Sequence, residues 1–257
     1  DYKNFKYEEV SISKSSSFSS KTKSTQSLTS HKNPLFGCHI EMIQPTNYGF
    51  ALPPSIERIL IYLANKGLKT EGIFRKSGVK SRIVQLKQAL EDRDEIDYEE
   101  YYIYDIADVT KTWFRELKPT QLITQQIVNL FKTKKKKEFT LWFLPDHHRS
   151  LLQVVLRFLS FFASQSSFNQ MNSHNLSICL TPSICHFDGD QQLFDAQKCL
   201  EYCIDNCEML FIVSLNSYLF TKGTGLESSF PMKHESTALI QAKPSYIMKR
   251  ILYQRYF

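Results

Sequence analysis

An all-α fold is expected here, on three observations. Apolar residues recur at helical spacing in segment after segment, strand-like alternation is nearly absent, and no strand-helix-strand repeat appears. Of the 257 residues, 42% are hydrophobic, enough to bury a sizeable core in a soluble chain. No apolar run approaches the roughly 18 residues a membrane-spanning helix needs, and the polar N-terminus lacks the apolar region of a signal peptide. A cytoplasmic setting is therefore expected. The start at Asp1 rather than Met suggests a fragment with segments missing on its flanks.

Residues Ser11 to Lys32 hold thirteen Ser or Thr, four Lys and no acidic side chain. Such a segment cannot bury a core, so residues 1–34 are expected to be a disordered leader suited to phosphorylation. The folded domain is expected over 35–220. Leu52-Pro53-Pro54-Ser55 opens a first helix with Ile56, Ile59, Leu60 and Leu63 on one face and Gly67 at its end. A glycine-bracketed loop, Glu71 to Gly78, leads to a second helix carrying Ile83, Leu86 and Leu90. Asp105 is expected to cap a third, which buries Ile106, Val109, Trp113, Phe114 and Leu117 and stops at Pro119. Its polar side aligns Asp108, Lys111 and Arg115 at spacings of three and four.

After Pro145-Asp146 comes a helix apolar around its girth, from Leu151 to Phe162, the expected core element. Asn172-Ser173 starts another, with Asn175, Leu176, Ile178 and Leu180, which Thr181-Pro182 is expected to stop. A last helix is expected from about Gln191 to Leu215. Cys199, Cys203 and Cys207 recur every fourth residue beside Leu200, Ile204 and Leu210, which makes a buried stripe a better reading than a metal site. His147, His148 and His186 lack partners at ligand spacing and are expected at the surface or as caps. Residues 221–257 read as a linker and a basic-aromatic tail, where Tyr246 to Phe257 suits either a surface helix or the start of another domain.

Net charge is +6, from 32 basic and 26 acidic residues, and four of the positives form the single run Lys134, Lys135, Lys136, Lys137. With the rest nearly balanced, a broad nucleic-acid face is not expected. The lysine run reads as a solvated loop, with weak contact to acidic lipid or to an acidic protein as the alternative. Phosphate-binding glycine loops, nucleophile elbows and zinc-protease motifs are all missing from the sequence, so no self-contained active site, cofactor or metal is expected. What remains is Arg75, presented on a short loop between packed helices and thus aimed outward.

Three ordered blocks carry a family resemblance. Glu71-Gly72-Ile73-Phe74-Arg75-Lys76-Ser77-Gly78-Val79-Lys80-Ser81-Arg82-Ile83 resembles the arginine-loop motif of Rho-family GTPase-activating (RhoGAP) domains. Tyr104 to Leu117 is similar to that family's helix with a lysine and, four residues on, an arginine. Asn169 to Ser183 resembles its NxM, NLA and proline segment. The likeness covers residues 35–215, with the first block closest in flavour to the deleted-in-liver-cancer group. In place of the family's usual helix, the stretch from Thr124 to Leu144 is short and carries Lys132 to Lys137.

This resemblance implies a helical-bundle domain of the RhoGAP type acting on a GTP-bound Rho-type small GTPase, RhoA-like for the subgroup. It implies that Arg75 is an arginine finger inserted in trans, and that Lys111, Arg115 and Asn175 contact the GTPase or brace the loop. Blander readings stand beside it. Arg75 suits a surface ion pair, Lys111 and Arg115 suit pairing with Asp108, Asn175 suits a cap, and the whole domain suits an inactive adaptor that binds without accelerating hydrolysis.

Overall fold

Proline and asparagine side chains set several of the helix starts. Pro53 precedes α1 (Pro54–Tyr62), with Pro54 at a position whose amide needs no helical partner, and one π-type turn (Leu63–Gly67) extends it. The computed structural model describes residues 34–44, 52–92, 96–119, 121–133, 141 and 144–210. Beyond α1 it forms α2 (Lys80–Asp92), α3 (Ile103–Glu116), α4 (Gln125–Lys132), α5 (Asp146–Ala163), α6 (Ser166–Asn169), α7 (Ser173–Ile184) and α8 (Asp190–Asp205). Among the described residues there is no strand, only an isolated bridge between His39 and Lys118. The expected leader, apart from Pro34, the Lys134–Lys137 run and the 221–257 tail lie outside the described residues.

At the centre, α5 buries Leu151, Leu152, Val154, Val155, Leu156, Phe158, Leu159 and Phe162, apolar around its circumference as a core helix must be. It packs against α7 and α8, while α3 packs against α2 and α7. Each large side chain so buried contributes about 1.5–3 kcal/mol. The segment from Leu35 is tied on by directional bonds: Glu91 accepts from the amides of Leu35 and Phe36 at 2.8 Å each, and the indole of Trp113 donates to the Leu35 carbonyl at 2.9 Å. Cys199, Cys203 and Cys207 lie buried along one side with Leu200, Ile204 and Leu210, as their spacing predicts.

Four local expectations need correction. Asp105 does not cap α3, which begins two residues earlier after Tyr102; it sits buried in the first turn because distant groups claim its carboxylate. Pro182 does not stop α7. The helix continues to Ile184, and Ile178, whose carbonyl loses its helical donor to the proline, lies with Pro182 on the exposed side, where water can replace the bond. His148 is not a surface residue but 4% exposed, its Nδ1 without a hydrogen-bond partner among the described residues. Burial, with a smaller push from His147, holds its pKa below the ordinary value, partly opposed by Glu41. Finally, Lys132 does not replace helix. It ends α4, which Thr124 caps by accepting from the Ile127 amide, and its ammonium pairs with Asp195 on α8 at 2.6 Å.

Candidate functional site

The site is built on the loop between the π-type turn and α2. Gly72 has φ +68°, where a side chain would be strained, and its amide donates to the Asn169 carbonyl at 2.7 Å. Its own carbonyl accepts from Arg75 and Lys76 amides at 3.0 and 2.8 Å, closing one tight turn. Phe74 also has φ +68°, unusual for a non-glycine residue and costing on the order of 1–2 kcal/mol. Its ring repays this inside the core, edge-on to Phe158 and Phe162 at centroid distances of 6.0 and 5.4 Å. The consequence is directional: Phe74 turns inward, and Arg75 stands exposed.

The far end of the loop is held by α3. The Gly78 amide donates to Asp108 Oδ2 and the Val79 amide to Asp105 Oδ1, both at 2.7 Å. Asp105, fully buried, also accepts from Arg82 Nε at 2.5 Å, and the Arg82 guanidinium lies 4.5 Å from the Tyr102 ring centre. A Cβ on Gly78 would sit 2.4 Å from Asp105 Oδ1 and 2.7 Å from its Cα, so the approach requires glycine. Lys111 Nζ lies 2.6 Å from Asp108 Oδ1 and donates to the Phe74 carbonyl at 3.0 Å.

The candidate residues therefore differ in what they are free to do. Lys111 is committed to the loop and to Asp108. Arg115, one turn along α3, is exposed and donates to Thr112 Oγ1 at 3.2 Å, not to Asp108. Asn175, in the first turn of α7, donates through Nδ2 to the Gln170 carbonyl at 2.9 Å, and Asn172 rather than Asn175 supplies the cap. One turn on, burial raises the Cys179 thiol pKa while Lys111 and Arg75 pull it partly back. The packing of α3 on α7 and the bond from Lys111 to the Phe74 carbonyl bring α7, α3 and the loop together.

Asn169 is the residue sequence reasoning missed. Fully buried, it donates to the carbonyls of Leu68 and Phe162 at 2.9 Å each and accepts from the Met171 amide at 2.8 Å, joining the loop to the end of α5. It opens the third motif, but nothing in its local spacing announced this role. In the sequence Asp105 reads only as a helix cap and Asp108 only as a charge partner on α3. Among the described residues no cluster of three or more His, Cys, Asp or Glu is placed to hold a metal ion. The face offers an exposed guanidinium on a fixed stalk, which suits completing a site on another molecule.

A family model described as the RhoGAP domain matches residues 53–188, from the start of α1 to just past α7. StAR-related lipid transfer protein 8 of Mus musculus is 39% identical over 157 residues, covering 57% of this chain and 15% of that protein. Rho GTPase-activating protein 7 of Rattus norvegicus is 39% identical over 151 residues, covering 54% and 14%. The chain thus spans about a seventh of the length of these curated relatives. Among solved structures, human Rho GTPase activating protein 15 superposes with a TM-score of 0.60 at 20% identity, covering 70% of this chain and 93% of that one. The BH domain of Graf, the GTPase regulator associated with focal adhesion kinase, does so at 0.57 and 22%, covering 67% and 97%; these two likenesses show the shared fold.

Proposed function

The chain belongs to the RhoGAP domain family, and from that premise we propose that it activates GTP hydrolysis by a Rho-type small GTPase, with Arg75 as an arginine finger delivered in trans. One observation carries the reading. Arg75 is exposed at the tip of a loop whose preceding ring is locked in the core and whose following amides are held by α3.

In phosphoryl transfer to water, negative charge spreads over the γ-phosphate oxygens and the bridge to the β-phosphate. A guanidinium brought to that charge stabilises the transition state more than the ground state, an effect on the order of 10³ to 10⁵ in rate. Arg75 suits this role better than its neighbour Lys76 because its planar fork presents several donors at once. Lys111 braces the loop from behind. Arg115 contacts the GTPase directly, and Asn175 does so through Oδ1, its Nδ2 being used within the domain. The GTP-bound, RhoA-like form is the proposed partner, met in the cytoplasm.

The test is single-turnover hydrolysis of GTP by RhoA-like and Rac-like proteins, with the chain and with Arg75→Ala. Strong acceleration by the wild type, lost in the variant with binding retained, is expected. Binding without acceleration by the wild type would support the adaptor reading instead. The shortened region behind that reading contains α4, which packs on α8, whereas the loop's hydrogen-bond partners described above are Asp105, Asp108, Lys111 and Asn169.

A further inference from the structure

We infer that Asp108 is a positioning residue for Arg75, closing the loop from Phe74 to Gly78 with a single ion pair; this rests on the activation reading above. Asp108 and Lys111 are one turn apart on α3, and each spends a second bond on the loop backbone. Lys111 takes the carbonyl of Phe74, the residue before Arg75, and Asp108 takes the amide of Gly78, three residues after it. Since the two side chains also hold each other at 2.6 Å, the mouth of the loop is bridged by a closed chain of contacts. Only Arg75, Lys76 and Ser77 stand outside it, all three exposed.

An ion pair at this spacing on an open helix face would merely tune helix stability. This one differs in two respects. Its side chains are only 16% and 13% exposed, which limits screening by water and salt, and both ends terminate on backbone groups of another segment. Fixing those two groups fixes the direction in which the chain leaves the helical frame, and with it the base of the Arg75 side chain. Asp108 is placed to act through Arg75 rather than on nucleotide, so its removal changes how often the guanidinium occupies the reactive position. Misplacement by about 1 Å is enough to cost on the order of 10²-fold in rate.

Two substitutions in the full chain separate the contributions. Asp108→Ala removes both bonds; Asp108→Asn keeps an acceptor for the Gly78 amide and loses the charge. Against a GTP-loaded RhoA-type GTPase, the single-turnover rate at saturating protein is expected to fall about 100-fold for Ala and about 10-fold for Asn, with affinity changed by less than about threefold. Arg75→Ala/Asp108→Ala is expected to be no slower than Arg75→Ala alone, because a device acting through Arg75 has nothing left to position. An additive double variant, or equal losses in rate and affinity, overturns the inference. Amide hydrogen exchange over residues 71–79, measured without any GTPase, is expected to quicken in Asp108→Ala, and unchanged exchange overturns the inference too. Should exchange respond while the wild type accelerates no GTPase, the bridging of the loop stands and the activation reading is the one that falls.

Discussion

Ile73 and Phe74 in the loop and Cys199, Leu200 and Cys203 in α8 are equally hidden from water, yet they are held in different ways. Around the loop, Asn169, Asp105, Asp108 and Lys111 supply hydrogen bonds whose lengths and angles fix particular backbone atoms. Along α8, thiols and aliphatic side chains lie buried in apolar packing, and burial drives the Cys185 thiol up to about 12. Packing stabilises an element but leaves small shifts inexpensive. Where an exposed atom has to sit at one point in space, as the proposed role of Arg75 requires, polar bonds from two helices define it.

Substitutions can break this contrast or sharpen it. Phe74→Ala removes the ring that supports an unfavourable backbone and is expected to cost about 3–5 kcal/mol, read from urea unfolding. Asn169→Ala removes three interior hydrogen bonds, to Leu68, Phe162 and Met171, of which the Phe162 carbonyl keeps a further donor, the Gln165 amide. The expected loss is about 2–4 kcal/mol, and a loss no larger than a surface change would show that the polar frame matters little. Gly78→Ala drives a methyl into Asp105, costing about 1–3 kcal/mol and abolishing stimulated hydrolysis by lifting the loop from α3. Cys203→Ala, in the α8 packing, is expected to cost about 1–2 kcal/mol in thermal unfolding and leave stimulated hydrolysis by the folded fraction intact. Loss of activity there would erase the distinction.

The smallest effect concerns pH. His148 is depressed by burial, so the unfolded chain binds the extra proton first as pH falls below about 6.5, and stability drops from that point downward. Replacing it by Phe is expected to flatten that part of the stability profile between pH 7 and 5. A profile that overlays the wild type would show that His148 is protonated without strain.

Much of the fold was legible because its signal is local. The stripes of Ile56, Ile59 and Leu60, of Leu86 and Leu90, and of Leu151 to Phe162 mark helices wherever they pack. The errors share a cause, which is that distant partners redirected residues with ambiguous local meaning. An aspartate before an apolar run signals a cap, but Val79 and Arg82 took Asp105 into the first turn of α3. A proline after threonine signals a stop, but Pro182 sits where its missing bond faces outward. For the site, the exposure of Arg75 followed from its loop. The supporting role of Asp108 did not, since sequence showed it only as an ordinary charge partner for Lys111, and Asn169 carried no spacing signal at all.

The close approach of Gly78 to Asp105 makes the loop a discontinuous unit of inheritance. Its shape is encoded partly 26 and 30 residues downstream, in the two aspartates that receive the Val79 and Gly78 amides. A graft of residues 71–79 alone into another helical frame would carry the arginine and leave its reach behind. Transplanting the proposed function means moving Gly78 together with Asp105, Asp108 and Lys111, and an alignment that finds the arginine without them has found only half of what holds its loop.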